Sequence, residues 1–288
     1  MRIGTGTVEE APRTDLRKGG LRLAKDAAWL VGLLCATLGM QSVVAKPFYI
    51  PSESMMPTLL VGDRLIVDKW AYGWSWVSAV PRVLPPAPGR IMGRLPDRGD
   101  IVIVKPPGRA GDYIKRVIGL PGDTVEMRDG RLWLNGRMVP RAYVGRRAIP
   151  IDANTTCGTE KQKAYAVRNP SGRALCRLPV YRETLPGGVS YDTLDLGYFA
   201  QVDEYGPVRI PADHVFLMGD NRDQSADSRV PAAMLGLGGP VRFEDVGGRA
   251  SFISFSLDGT STVADPTSWF SAMREGRAWT TLKPEHGE

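Results

Sequence analysis

At 288 residues the chain can bury a substantial core as one large domain or two small ones, and its 43% hydrophobic and 24% charged residues mark it as folded rather than disordered. The net charge of +6 permits contact with anionic surfaces, yet Lys and Arg are dispersed without a basic block or zinc-finger spacing, so nucleic acid is not expected as a partner. Two histidines, His214 and His286, leave almost no room for a His-based metal site, and there is neither a P-loop nor a G-x-G-x-x-G, so no metal or cofactor is expected.

Residues 1–26 are polar and bring Arg13, Arg17, Lys18, Arg22 and Lys25 up to an uncharged stretch, AAWLVGLLCATLGMQSVVA, at 27–45. At about 1.5 Å per residue that stretch spans about 28 Å, close to the hydrocarbon thickness of a bilayer. One transmembrane helix over 27–45 is therefore expected, with the lipid bilayer as a partner. The basic flank places 1–26 in the cytoplasm and everything after 46 outside it. A cleaved signal peptide and a buried core helix are the competing readings; the first calls for an apolar region of about 7–15 residues, shorter than this one.

Beyond the helix the signals are mostly β. Gly-Asp turns lead into β-branched runs at 62–69, 99–105 and 122–127, and Asp129-Gly130 and Asn135-Gly136 sit at hairpin positions between short alternating runs. Further strands are expected at 113–120, 215–220 and 249–256. Helical periodicity is scarce, so the fold class is mainly β, built of short, coiled strands. Residues 70–89, rich in Trp and Pro, fit a lid or an aromatic contact with the bilayer, or else Trp70, Trp74 and Trp76 are core residues. Cys157 and Cys176 lie in a polar stretch without a zinc pattern; a disulfide closing that loop of about 20 residues would stabilise it by roughly 3 kcal/mol, and two unpaired thiols are the alternative.

A serine hydroxyl needs a base, and His214 alone could serve a Ser-His-Asp triad, His286 standing two residues from the C-terminus. The other base available is a lysine whose ammonium is desolvated. Lys115, in DYIKRVIGLPGD (112–123), is either a surface residue, as most strand lysines are, or the group that meets that need: on a strand it shares a face with Tyr113 and Val117, while Arg116 falls on the other face and can pair with a charge. Ser54, in PSESMMPTL (51–59), is an ordinary turn residue or a nucleophile held between Pro51 and Pro57, with Ser52 near enough to lend a hydroxyl to an oxyanion. GDNRDQSADSR (219–229) is either a solvated loop or a mutually satisfied polar network in which Ser225 holds the lysine and Asp227 pairs with Arg229.

These four segments, counting RGDIVIVKPP (98–107), in this order behind an N-terminal anchor, resemble the ordered motifs of bacterial type I signal peptidase (leader peptidase). The resemblance covers the anchor, 46–145 and 205–258. It implies a coiled β-sheet catalytic domain without a metal, with Ser54 as nucleophile and Lys115 as general base. By the same resemblance, the Ser54 N–H and the Ser52 hydroxyl form the oxyanion hole, and Ser225, Asp227 and Arg229 orient the lysine. The strand PFYI adds to the substrate backbone, while Phe48, Ile50, Tyr113 and Ile114 line pockets for the small side chains of A-x-A sites. The expected partners are preproteins carrying signal peptides, met at the bacterial inner membrane by a periplasmic domain. One departure is Glu53, where many members carry glycine: an acid there puts negative charge beside a developing oxyanion unless its side chain points away.

The segments expected are thus a cytoplasmic piece (1–26), the anchor (27–45), a catalytic core in two parts (46–145 and 208–260) split by an insert (146–207), and a tail (261–288). A dedicated processing peptidase of the same clan, for example one serving conjugation, and a non-catalytic membrane-tethered β-domain are the alternative functions. A self-cleaving LexA-type repressor is disfavoured, since residues 1–26 are too few for a DNA-binding helix-turn-helix.

Overall fold

A computed structural model of the chain describes residues 14–43, 45–79, 85, 87–109, 111–262 and 264–286. Helix α1, Thr14–Val43, is 30 residues long, and its stretch Arg22–Gln41 is apolar enough to cross a bilayer with none of it buried against protein. The helix extends past the expected span of 27–45 at its start and stops short of it at its end. Before Ala27 it runs through Leu23, Ala24 and Lys25, strong helix formers, and on across Gly19 and Gly20, which are poor ones, to Thr14. It ends at Val43, because Ala45 already opens the first strand. Arg13, part of the basic flank, lies outside the described residues.

The strands in chain order are β1 (Ala45–Tyr49), β2 (Asp63–Asp68), β3 (Ile101–Val104), β4 (Tyr113–Gly119), β5 (Thr124–Arg128), β6 (Arg131–Leu134), β7 (Arg137–Met138), β8 (Arg141–Pro150) and β9 (Ala166–Arg168). There follow β10 (Ala174–Thr184), β11 (Val189–Leu194), β12 (Tyr205–Arg209), β13 (His214–Met218), β14 (Val241–Arg242), β15 (Val246–Ser256), β16 (Thr280–Thr281) and β17 (Glu285–His286). Among the described residues they make three sheets. The main one runs β1-β2-β15-β3-β4-β13-β14 with β16 added to β15; the second is β17-β11-β10-β8 with β9 on β10; the third is β12-β5-β6-β7. Every strand expected from the sequence is present. Both hairpins turn where expected, with Asp129, Gly130, Asn135 and Gly136 all at positive φ as such two-residue turns require.

β3 and β4 lie in the middle of the main sheet and are buried almost throughout. One face of the sheet packs Leu65, Val67, Ile101, Ile103, Ile114 and Ile253 together with Ile50 and Met55, each such burial stabilising by about 1.5–3 kcal/mol. The other face gathers Val102, Val104, Val117 and Leu217. A strand pinned on both faces is a rigid mount for a reactive side chain.

Several expectations change here. The insert is a folded sheet whose strand β8 runs through the 145/146 boundary, just as β12 runs through 207/208. The last segment is no loose tail: Leu282 enters the core, Arg277 pairs with Asp63, and Arg274 binds Asp152 through two nitrogens. Cys157 and Cys176 are joined, with Cα atoms 5.7 Å apart, while Cys35 on α1 is free. Trp70 is exposed and Trp74 and Trp76 are half-buried, so the core reading fails for them; the fully buried ring of that stretch is Tyr72. Residues 80–84 and 86 of the Trp/Pro-rich stretch lie outside the described residues.

Candidate active site

Three segments converge at one end of β4. The first is the 3-10 turn Glu53–Met55, which follows β1 and is fixed where it leaves the strand by Ile50 N–H to Asp63 O (3.0 Å) and Gly62 N–H to Ile50 O (3.0 Å). The second is β4, whose alternation sends Lys115 to the face of Tyr113 and Val117, opposite Val102 of β3. The third is the loop leaving β13 at Gly219. Asn221 stitches that loop to the turn: its backbone N–H donates to Ser54 O (3.1 Å) and its Nδ2 to Glu53 O (3.1 Å).

Side chains lock the same three segments. Arg116 grips Asp220 through Nε and Nη2 (2.7 and 2.6 Å), and the Thr58 hydroxyl donates to Asp220 Oδ2 (2.6 Å). Asp227 accepts from Gly219 N–H (2.9 Å) and takes Arg229 Nε and Nη2 at 3.0 and 2.8 Å, all in the interior. The loop is thus a satisfied buried network rather than a solvated one.

Within this frame Lys115 Nζ donates to Ser54 Oγ at 2.8 Å and to Ile114 O at 2.9 Å. The lysine is only 4% exposed and the serine 6%. Burial draws the Lys115 ammonium down to about 8, against the opposing pull of Asp227 and Asp220; Arg229 adds to the lowering. A hydroxyl and an amine in direct contact, with the amine's proton held less tightly than in a free lysine, can pass a proton between them.

The remaining expected residues divide. Ser52 is exposed, its hydroxyl 3.4 Å from Ser54 Oγ. Phe48 and Tyr113 are half-buried, and the Tyr113 hydroxyl donates to Leu235 O (2.8 Å). Ile50 and Ile114, expected to line pockets, are packed into the core, because alternation turns Ile114 toward Ile101 and Ile103. Ser225 does not hold the lysine: Nζ is directed to Ser54 and to its own neighbour's carbonyl, while Ser225 Oγ is buried without a hydrogen-bond partner. Glu53 does not project toward Ser54; its carboxylate accepts from Gln162 Nε2 (2.8 Å).

Thr58, Gly219, Asp220 and Asn221 were not singled out from the sequence. Their signal was density of polar residues around a buried strand end, which identifies a network but not its wiring. Gly219 shows the tolerance of the site: a Cβ there would lie 2.2 Å from Ser225 Oγ and 2.4 Å from Ser54 O. The Gly219→Ala variant is expected to displace the serine's turn and lower kcat by about 10²-fold while its Tm falls only modestly, as kinetics and thermal melting on one preparation will show.

Comparison with known proteins agrees with this geometry. The family model described as signal peptidase, peptidase S26, matches residues 23–255. A signal peptidase I of Rickettsia rickettsii (strain Sheila Smith) is 33% identical over 254 residues, covering 85% of each chain. One of Rickettsia akari (strain Hartford) is 34% identical over 244 residues, covering 82% of this chain and 81% of its own. The chain belongs to the signal peptidase S26 family.

Proposed function

We propose that this chain is a membrane-anchored endopeptidase whose Ser54 and Lys115 act as nucleophile and general base, releasing exported preproteins from their signal peptides at small-x-small sites. The observation that carries the reading is the 2.8 Å contact between Lys115 Nζ and Ser54 Oγ, with both side chains buried. With the amine near 8, about a tenth of it is free base at pH 7, and an apolar substrate segment laid over the site would raise that fraction by excluding water.

In this mechanism neutral Lys115 takes the Ser54 proton as Oγ attacks the scissile carbonyl. The Ser54 N–H and the Ser52 hydroxyl meet the oxyanion, and the lysine returns the proton to the leaving amine. β1 stands at the end of the main sheet, paired only with β2 among the described residues, so an extended substrate can add as the next strand. Phe48 and Tyr113 border the approach, and buried Ile50 and Ile114 form the floor beneath small side chains. Asp227 and Arg229 brace the loop carrying Gly219, and through it the serine. Helix α1 is the anchor, with its basic end in the cytoplasm and the catalytic domain in the periplasm of a bacterial inner membrane.

A serine-directed acylating inhibitor tests this directly. Mass spectrometry is expected to find one adduct, on Ser54, with preprotein cleavage lost in parallel; Ser54→Ala should give neither adduct nor cleavage. No adduct on the wild type would favour a silent scaffold, and cleavage confined to one defined partner among many exported proteins would indicate a dedicated processing enzyme.

A further inference from the structure

The insert reaches the nucleophile's turn through a buried glutamine. Gln162 lies on a single-turn helix, α2 (Glu160–Lys163), and is 1% exposed. Its Nε2 donates to Glu53 Oε2 (2.8 Å) and to Gln224 Oε1 (3.1 Å), and its Oε1 accepts from Thr159 N–H (3.2 Å). Gln224 in turn donates to Thr159 Oγ1 (3.1 Å) and accepts from Asn221 Nδ2 (3.1 Å), the same amide nitrogen that donates to Glu53 O. The residue immediately before Ser54 is therefore tied at its carboxylate by the insert and at its carbonyl by the β13 loop.

α2 is itself held firmly. It lies inside the loop closed by Cys157–Cys176, with Cys176 on β10. β10 is bound to the loop by the buried pair between Glu183 and Arg222, at 2.8 and 2.6 Å. Nothing in the peptidase chemistry requires an acid at position 53. Its carboxylate is directed to Gln162, and the charges acting on the lysine are Asp227, Asp220 and Arg229.

We propose that Gln162 is a positioning residue: through Glu53 the disulfide-closed insert sets the Ser54 hydroxyl in line with Lys115. This rests on the reading of Ser54 as nucleophile. A latch of this kind acts on the geometry of attack and not on substrate affinity or on the amine, which fixes how its loss must look.

The test uses the full-length enzyme in detergent micelles with a preprotein substrate. Gln162→Met keeps the volume and removes the donors; Glu53→Ala removes the acceptor; Glu53→Gln keeps an acceptor for Gln162 without the charge. The expected result is a fall in kcat of about 10- to 100-fold for Gln162→Met and Glu53→Ala, with KM within about twofold, the midpoint of the pH profile unmoved, and activity retained in Glu53→Gln. Unchanged kcat in Gln162→Met, or a Glu53→Gln enzyme as slow as Glu53→Ala, overturns the proposal. Ser54→Ala, run alongside, separates the two readings: if it stays active the nucleophile assignment fails, whereas if it is dead and Gln162→Met is fully active only the latch fails. Should Gln162→Met not fold, the contrast between the two Glu53 variants decides alone.

Discussion

Lys115→Met is expected to lose preprotein cleavage by about 10⁴-fold or more and yet to be more stable than the wild type at neutral pH. The loss of activity follows from the contact: Lys115 Nζ lies 2.8 Å from Ser54 Oγ, and methionine offers no amine to take the hydroxyl proton in the proposed mechanism. The gain in stability follows from the cost of the amine. Burial lowers it from 10.5 to about 8, so below pH 8 the folded protein carries an ammonium that would rather be in water, at a cost of about 3 kcal/mol. Between pH 8 and 10.5 the unfolded chain binds the extra proton, so wild-type stability rises with pH across that window. Methionine has no such dependence. Its advantage should be a few degrees in Tm at pH 6–7, less whatever the lost hydrogen bonds contributed, and should shrink steadily as pH rises through the window. The same group predicts a wild-type rate that climbs with pH to a midpoint near 8. A midpoint near 10, or a Lys115→Met protein that melts lower at every pH, would count against a desolvated base.

That lysine illustrates how far sequence reasoning reaches. Its strand, its face and its apolar neighbours were all legible, because alternation with a period of two is a local property, and so was the division of labour with Arg116. Ser54 was legible through the company it keeps in PSESMMPTL. The partners were not. That Asn221 meets the serine's segment, that Ser225 makes no hydrogen bond to the lysine, and that Glu53 finds Gln162 more than a hundred residues away depend on how β13 and the insert dock, which no local pattern encodes. The insert sheet was less legible: β8 and β9 are mostly exposed and lack a clean apolar alternation, and the largely buried β10 carries Pro179 and two arginines in its run. The 261–288 segment escaped because its attachments are arginines, Arg274 and Arg277, which in sequence look like surface.

Asp227→Ala should be the most destabilising single change in the site, by about 3–5 kcal/mol, because it leaves the Arg229 guanidinium charged in the interior. Arg229 would keep only the carbonyls of Val202 and Arg222, and the Gly219 N–H would lose its acceptor. Although burial alone would raise it, the Arg229 charge and the hydrogen bonds from Arg229 and Gly219 hold the Asp227 carboxyl below the usual carboxylate range. The stability it contributes is therefore fully present above the unfolded value near 4 and drains away only as pH falls through the lower folded value. The gap between wild type and variant should accordingly be flat from pH 5 to 8 and close in acid. Removing Arg229 as well, in Asp227→Ala/Arg229→Leu, should recover part of the loss, since no charge is then stranded. The milder Asp227→Asn reads out the link to catalysis: with that negative charge gone the lysine is less inclined to hold its proton, and the rate midpoint should move below 8. A midpoint that stayed put would mean that Asp227 supports the loop without acting on the amine.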